Sequence, residues 1–152
     1  MQRNENTSKA IEHIDVRVFA HATENQQSVE TAVKNIFPEE IAQSIIFKET
    51  KLAGHHSNPI VLVSAKIDNK KLLPAALERF GENLNALDKE QLNQEIELHL
   101  ERSNLFLRFD KQAAFLQTLK FSTDDPIHIK IHFKNKTAQK ITDLIKLFGL
   151  IP

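Results

Sequence analysis

The nine residues PIHIKIHFK, Pro126 to Lys134, constrain the fold more than any other stretch of this 152-residue chain. Ile127, Ile129, Ile131 and Phe133 alternate with His128, Lys130, His132 and Lys134. Successive side chains on a strand point to opposite faces, so this reads as a strand with one buried and one polar face. Such a strand needs neighbours in a sheet and a layer over its apolar side. EHIDVRVFAH repeats the pattern: Ile14, Val16, Val18 and Ala20 face one way, and His13, Asp15, Arg17 and Phe19 the other.

Three further strands are predicted at IIFKET (45–50), PIVLVSAKI (59–67) and LFLRFD (105–110). Gly54, Ser57 and Asn58 mark a turn between the first two. EIELHLE (95–101) alternates and predicts a hairpin with LFLRFD around RSN; one helix over 88–101 is the competing reading. Apolar residues at helical spacing predict three helices. Val29, Ala32, Val33, Ile36 and Phe37 form a stripe that Thr23 and Gln26 open at capping-box spacing and Pro38 ends. Leu72, Leu73, Ala76, Leu77 and Phe80 form another, with Pro74 in its first turn and Gly81 closing it. Ile141, Leu144, Ile145 and Phe148 form the last, opened by Thr137. A short capped helix from Asp88 and a short helix or irregular connection at KQAAFLQTL complete the set. The order β-α-β-β-α-β-β-β-α predicts an α+β fold, a mostly antiparallel sheet with helices on one face. Residues 1–9 read as a flexible arm and 10–152 as a single domain.

Lys and Arg number 20, and so do Asp and Glu, so charge distribution must carry any case for a polyanionic partner. Cysteine is absent, which removes thiol nucleophiles and thiolate metal sites and fits a cytoplasmic protein. Three glycines are too few for a phosphate-cradling loop or a dinucleotide fingerprint. There is no serine elbow and no His-Glu-x-x-His helix, and no cofactor is expected. The polar N-terminus is no signal peptide, and the longest apolar run, IVLV, cannot span a bilayer. The adjacent His55 and His56 lack a third ligand nearby and read as turn histidines rather than a metal pair. Asp124 and Asp125, before Pro126, read as turn formers.

The polar face of PIHIKIHFK is more informative. His128, Lys130, His132 and Lys134 form a row, which Arg17 and Arg108 could join from other strands. A basic stripe on a neutral protein suits phosphate binding. A lysine-rich edge that discourages aggregation gives the same pattern.

HIDVRVFAHATEN, GHHSNPI and LFLRFDKQAAFL, in this order, resemble an archaeal family described as a predicted exosome subunit or RNA-binding protein. That family is similar in fold to the fifth protein of the large ribosomal subunit. The resemblance runs from about Glu12 to about Phe133. The family's Gly-His-Tyr-Gly-Asn-Pro segment corresponds to Gly54, His55, Asn58 and Pro59, with His56 and Ser57 replacing tyrosine and glycine. Its Arg-x-Asp-Lys-Gln segment is intact as Arg108, Asp110, Lys111 and Gln112. A glycine often follows the alanine pair by a few residues in the family; here Gln117 stands there. The resemblance implies RNA as the partner, with protein partners in RNA processing. It adds Lys111, Gln112, His55, His56 and Asn58 to the candidate contacts.

RFDKQAAF (108–115) supports three readings. It is a structural joint in which Asp110 caps or pairs a strand end with Arg108 as its partner, or a phosphate and sugar contact through Arg108, Lys111 and Gln112 with Asp110 orienting them, or a hydrolytic site on Asp110. A non-enzymatic RNA-binding protein is the favoured function; a protein-docking module and an RNA-processing enzyme are the alternatives.

Overall fold

The structure, a computed structural model, describes residues 9–54 and 58–152. Strands β1 (Ile11–Ala20), β2 (Lys48–Ala53), β3 (Pro59–Ile67), β4 (Leu100–Glu101), β5 (Asn104–Phe109) and β6 (Ile127–Phe133) form one sheet in the order β2-β3-β1-β6-β5-β4. Each neighbouring pair is antiparallel. Helices α1 (Gln26–Ile36), α2 (Glu39–Ser44), α3 (Leu73–Asn83), α4 (Ala86–Gln94), α5 (Lys111–Phe115) and α6 (Ala138–Leu147) complete the chain. The architecture is the expected α+β, in the expected order, with α2, α4 and α5 as short additions.

The period-two residues of β1, β3, β5 and β6 and the helical stripes bury one another. Ile14, Val16 and Val18 of β1, Leu105 and Leu107 of β5, and the isoleucines of β6 join Val33, Leu77, Phe80, Ile141 and Ile145 in one apolar core. Phe80 of α3 lies 5.8 Å from Phe37, after α1, and 5.3 Å from Phe109 of β5; Phe109 in turn lies 5.4 Å from Phe121. Tilted ring pairs at these spacings add attraction beyond area burial. Ile11 and Ile14, three residues apart, are both fully buried because the β1–β6 register slips one residue between Ile11 and His13. A β-bulge of this kind resets which face each side chain takes.

Several local expectations are corrected. β2 begins at Lys48, not Ile45, and all six of its residues are exposed. An edge strand without a buried face carries no alternation, whereas Ile45 and Phe47 pack against the core from the approach to it. The hairpin around Arg102 and Ser103 is present but short: EIELHLE is a 3-10 turn (Ile96–His99) leading into the two-residue β4, whose Leu100 and Glu101 pair with Leu105 and Asn104. Ile96 and Leu100 pack against the core four residues apart, and Leu98 between them is 82% exposed, so the alternation was never a sheet face. The α1 cap is Asn25, whose Oδ1 accepts the Ser28 N–H at 3.1 Å, rather than Thr23. The α4 cap is Asn85, accepting from the Asp88 N–H at 2.8 Å. Gly81 lies inside α3 and does not close it. A Cβ there would meet the Phe148 carbonyl oxygen at 1.9 Å, so the residue serves close packing of α3 on the end of α6. The arm, but for Lys9, lies outside the described residues.

Gln117 takes φ +65°, a region that favours glycine. A side chain costs roughly 1–2 kcal/mol in this region. Gln117→Gly is expected to stabilise the protein by about 0.5–1 kcal/mol after the added flexibility of the unfolded chain is subtracted. Denaturant melts of the two proteins check this.

Candidate nucleic-acid interface

RFDKQ crosses from the end of β5 into α5. Asp110 is the α5 N-cap: its Oδ2 accepts the Ala113 N–H at 2.7 Å, and its own N–H donates to the Lys120 carbonyl at 2.7 Å. Lys111 then turns inward. Its side chain is 9% exposed, and Nζ donates to the Phe19 carbonyl at 2.8 Å, to Glu24 Oε1 at 3.0 Å and Oε2 at 3.2 Å, and to Asp125 Oδ2 at 2.7 Å. It ties the exit of β1 to the entrance of β6. His21 Nε2 lies 3.1 Å from the same Asp125 oxygen, and the His21 N–H donates to Glu24 at 3.0 Å. Burial pushes the Asp125 carboxyl up, but hydrogen bonds from Lys111 and His21 outweigh it and hold the group below its ordinary value of 3.8. His21, Glu24 and Asp125 are spaced to hold a cation. The Lys111 ammonium fills that role with its own charge.

The expectation of an exposed Lys111 is therefore corrected: it is buried and joins Asp110 in the structural joint. Among the described residues Arg108 forms no ion pair with Asp110, which caps α5 instead. Arg108 leaves β5 on the opposite side of the sheet from Phe109 and is exposed. Gln112 faces the α1–α5 groove with Glu24, Ser28, Val29 and Phe115, away from the face of the sheet left uncovered by the described residues.

That uncovered face collects most of the remaining candidates. The strand registers place Lys48 opposite Ser64, Ser64 opposite Arg17, Arg17 opposite His128, and His128 opposite Arg108. This row crosses five strands, roughly 19 Å at about 4.8 Å per step. A second row runs Lys66, Asp15, Lys130 and Phe106. Among the described residues, Lys48, Lys66, Arg17, Arg108 and Lys130 form no ion pair. Asp15, Arg17, Phe106, Arg108, His128 and Lys130 line an open depression of about 460 Å³.

His128 is the floor of the first row. Its burial, then the Arg17 and Arg108 guanidiniums on either side, hold its imidazole below the ordinary 6.5, against a smaller upward pull from Asp125. Burial and the arginines across the sheet thus favour the neutral form. His132 has a different setting: Nδ1 lies 2.7 Å from Asn104 Oδ1, Nε2 lies 3.5 Å from Glu12, and the ring stacks on His13 at 4.9 Å. Lys134 falls in the turn after β6, at the far end from Arg17, and shares a shallow surface with Lys9, Lys136 and Lys140. The strand ends one residue before it, so its place in the alternation is lost.

Asn58 precedes β3, and its carbonyl accepts the Gly54 N–H at 2.9 Å. Because Val61 pairs with Ala20, this hairpin reaches beyond the end of β1 where Lys111 lies. His55 and His56 lie outside the described residues. The sequence reading missed Lys48, Lys66 and Phe106. The alternation of PIVLVSAKI and LFLRFD places Lys66 and Phe106 on polar faces, but only the register shows that those faces coincide. Lys48 was hidden by the misplaced start of β2.

A sheet covered by helices on one side and carrying, on the other, cations that form no ion pair among the described residues defines an α+β protein with a broad basic surface. The chain belongs to the family described as RNA binding, whose model matches residues 13–133. It is 34% identical over 125 residues to "RNA-binding protein PAB1135" of Pyrococcus abyssi, covering 80% of this chain and 81% of that one. In fold it is similar to protein AF2318 from Archaeoglobus fulgidus, with TM-score 0.75, 21% identity, and 91% and 99% of the two chains covered. It is likewise similar to a DUF54 protein from Methanothermobacter thermautotrophicus, with TM-score 0.73, 24% identity, and 94% and 99% covered.

Proposed function

We propose that this protein binds RNA through the uncovered face of its sheet. The observation that carries the reading is the Lys48–Ser64–Arg17–His128–Arg108 row, in which three exposed cations, without carboxylate partners among the described residues, share one line across five strands. Phosphate contacts need exposed, unneutralised charge, and neighbouring strands hold it in a fixed array. The name of the Pyrococcus abyssi relative supports RNA as the partner. The reading includes a non-catalytic role, since Asp110 is engaged in capping α5 and Asp125 and Glu24 in holding Lys111. It also includes one domain over 10–152, action in the cytoplasm and attachment to the exosome or the ribosome, the last two suggested by composition and family resemblance. Titrating structured RNA into isotope-labelled protein should shift the amide signals of β1, β5 and β6 around Arg17, Arg108 and His128. Shifts confined to α1, α3 and α6 would place RNA elsewhere.

A pH effect follows from His128. A phosphate on the row would favour its protonated form, so binding takes up a proton. RNA affinity is expected to rise as pH falls from about 7.5 to 6, and His128→Gln should flatten that rise. Stability moves the other way. The folded pKa is lowered, so the contribution of His128 is present above about 6.5 and is lost as pH falls through the folded value. Affinity and melting temperature measured across this range, with and without the substitution, separate the two signs.

A further inference from the structure

Six side chains of the depression on the uncovered face form a grid, two from each of three adjacent strands: Asp15 and Arg17 from β1, His128 and Lys130 from β6, and Phe106 and Arg108 from β5, with Leu107 and Ile129 completing its lining. Phe106 is the odd member. The apolar residues on either side of it, Leu105 and Leu107, face the core and are at most 1% exposed, whereas Phe106 stands on the polar face, half-buried among charges. It has no place in the core, and with Arg108 it also lines the neighbouring depression of about 510 Å³ beside α4. It is thus an aromatic ridge between two hollows on a cationic surface. Asp15 is the second oddity, because a carboxylate opposes phosphate. It pairs with Lys66 and Lys130 positions across the sheet, and His13 Nε2 lies 3.3 Å from its Oδ2.

We propose that this depression takes one unpaired nucleotide of RNA: the base lies against Phe106, its phosphate is held by Arg17 and Arg108, and Asp15 accepts a hydrogen bond from the base. The inference rests on the RNA-binding reading and adds what kind of RNA the face selects. Bases inside an A-form helix are stacked and cannot reach a protein aromatic, whereas unpaired bases stack on such rings. Guanidiniums suit phosphate, and a carboxylate acceptor suits the exocyclic amino groups of cytosine, adenine and guanine, whereas uracil has no amino group and offers only its ring N3–H. A volume of about 460 Å³ is of small-ligand size, within the roughly 300–1,000 Å³ of pockets that hold such groups.

The test is fluorescence anisotropy at fixed salt with three probes: a twelve-nucleotide oligocytidine, an oligouridine of equal length, and a twelve-base-pair RNA duplex. The wild-type protein should bind the oligocytidine more tightly than the oligouridine, and both single strands more tightly than the duplex. Phe106→Leu, which keeps an apolar side chain, should weaken single-strand binding by about 5- to 150-fold, the range for loss of one stacked base, with no loss on the duplex and an unchanged salt slope. Phe106→Tyr should restore single-strand binding. Asp15→Asn should level cytidine and uridine. An unchanged single-strand affinity in Phe106→Leu, or an equal loss on the duplex, would overturn the stacking assignment while leaving salt-dependent RNA binding by the face intact. Equal binding of cytidine and uridine by the wild-type protein would remove the role given to Asp15. Absence of salt-dependent binding to any of the three probes would remove the RNA reading itself.

Discussion

Lys111→Met is expected to lower the stability of the protein by about 2–3 kcal/mol at neutral pH. The substitution keeps the length of the stem and removes the ammonium that Glu24, Asp125 and the Phe19 carbonyl surround. Removing one partner of a fully buried ion pair costs about 3–5 kcal/mol, because the other charge is left without compensation. Here Glu24 and Asp125 keep 30% and 38% of their exposure, so water recovers part of the loss. For a chain of this size the melting temperature should fall by about 5–10 °C. The pH dependence supplies a second readout. The Asp125 carboxyl is held below its ordinary value, so its contribution is present above about pH 3.8 and is lost as pH falls through the lowered folded value. The wild-type protein should therefore lose its advantage over Lys111→Met on acidification, and the two melting curves should converge. Equal midpoints at pH 7 would mean that the joint does not depend on this ammonium.

The same geometry explains how far the residues alone could be read. The four central strands declare themselves because each has a buried face, and one-sided burial writes a period of two into the sequence. The bounds of β2 and β4 are not legible, because an exposed edge strand and a two-residue bridge leave the pattern unconstrained. Caps were harder. Thr23 and Asn25 both carry a capping oxygen, and only the entry angle of α1 selects Asn25. Gly81 reads as a helix end until α6 is packed against it.

The candidate face was legible strand by strand and illegible as a whole. Arg17, His128 and Arg108 stand out as polar positions on alternating strands, yet their union into a row depends on registers set by the β1 bulge and by β1 pairing with both β3 and β6. Lys111 shows the reverse failure. A lysine between an aspartate and a glutamine after a strand has every mark of a solvated charge. Its burial depends on Glu24 and Asp125, 87 and 14 residues away, arriving at the same corner. RFDKQAAF is therefore divided between two roles: Asp110 and Lys111 build the corner, and Arg108 faces out of it.

Arg17→Ala with Arg108→Ala is expected to leave the fold intact and to weaken RNA binding by roughly tenfold or more for each guanidinium, the loss that goes with a charged hydrogen bond to phosphate. Both side chains are exposed and neither carries an ion pair among the described residues, so melting should be close to that of the wild-type protein. Lys140→Ala with Lys146→Ala removes the same charge from α6, on the helical side of the sheet, and serves as the control. The most direct measurement is RNA affinity against salt concentration for the three proteins. The slope of log affinity on log salt should flatten by about 1.4–1.8 in the arginine pair, two phosphate contacts at roughly 0.7–0.9 each, and should stay at the wild-type value in the control. An arginine pair whose slope and affinity match the wild-type protein, or a control that loses as much, would contradict the placement of RNA on the uncovered face.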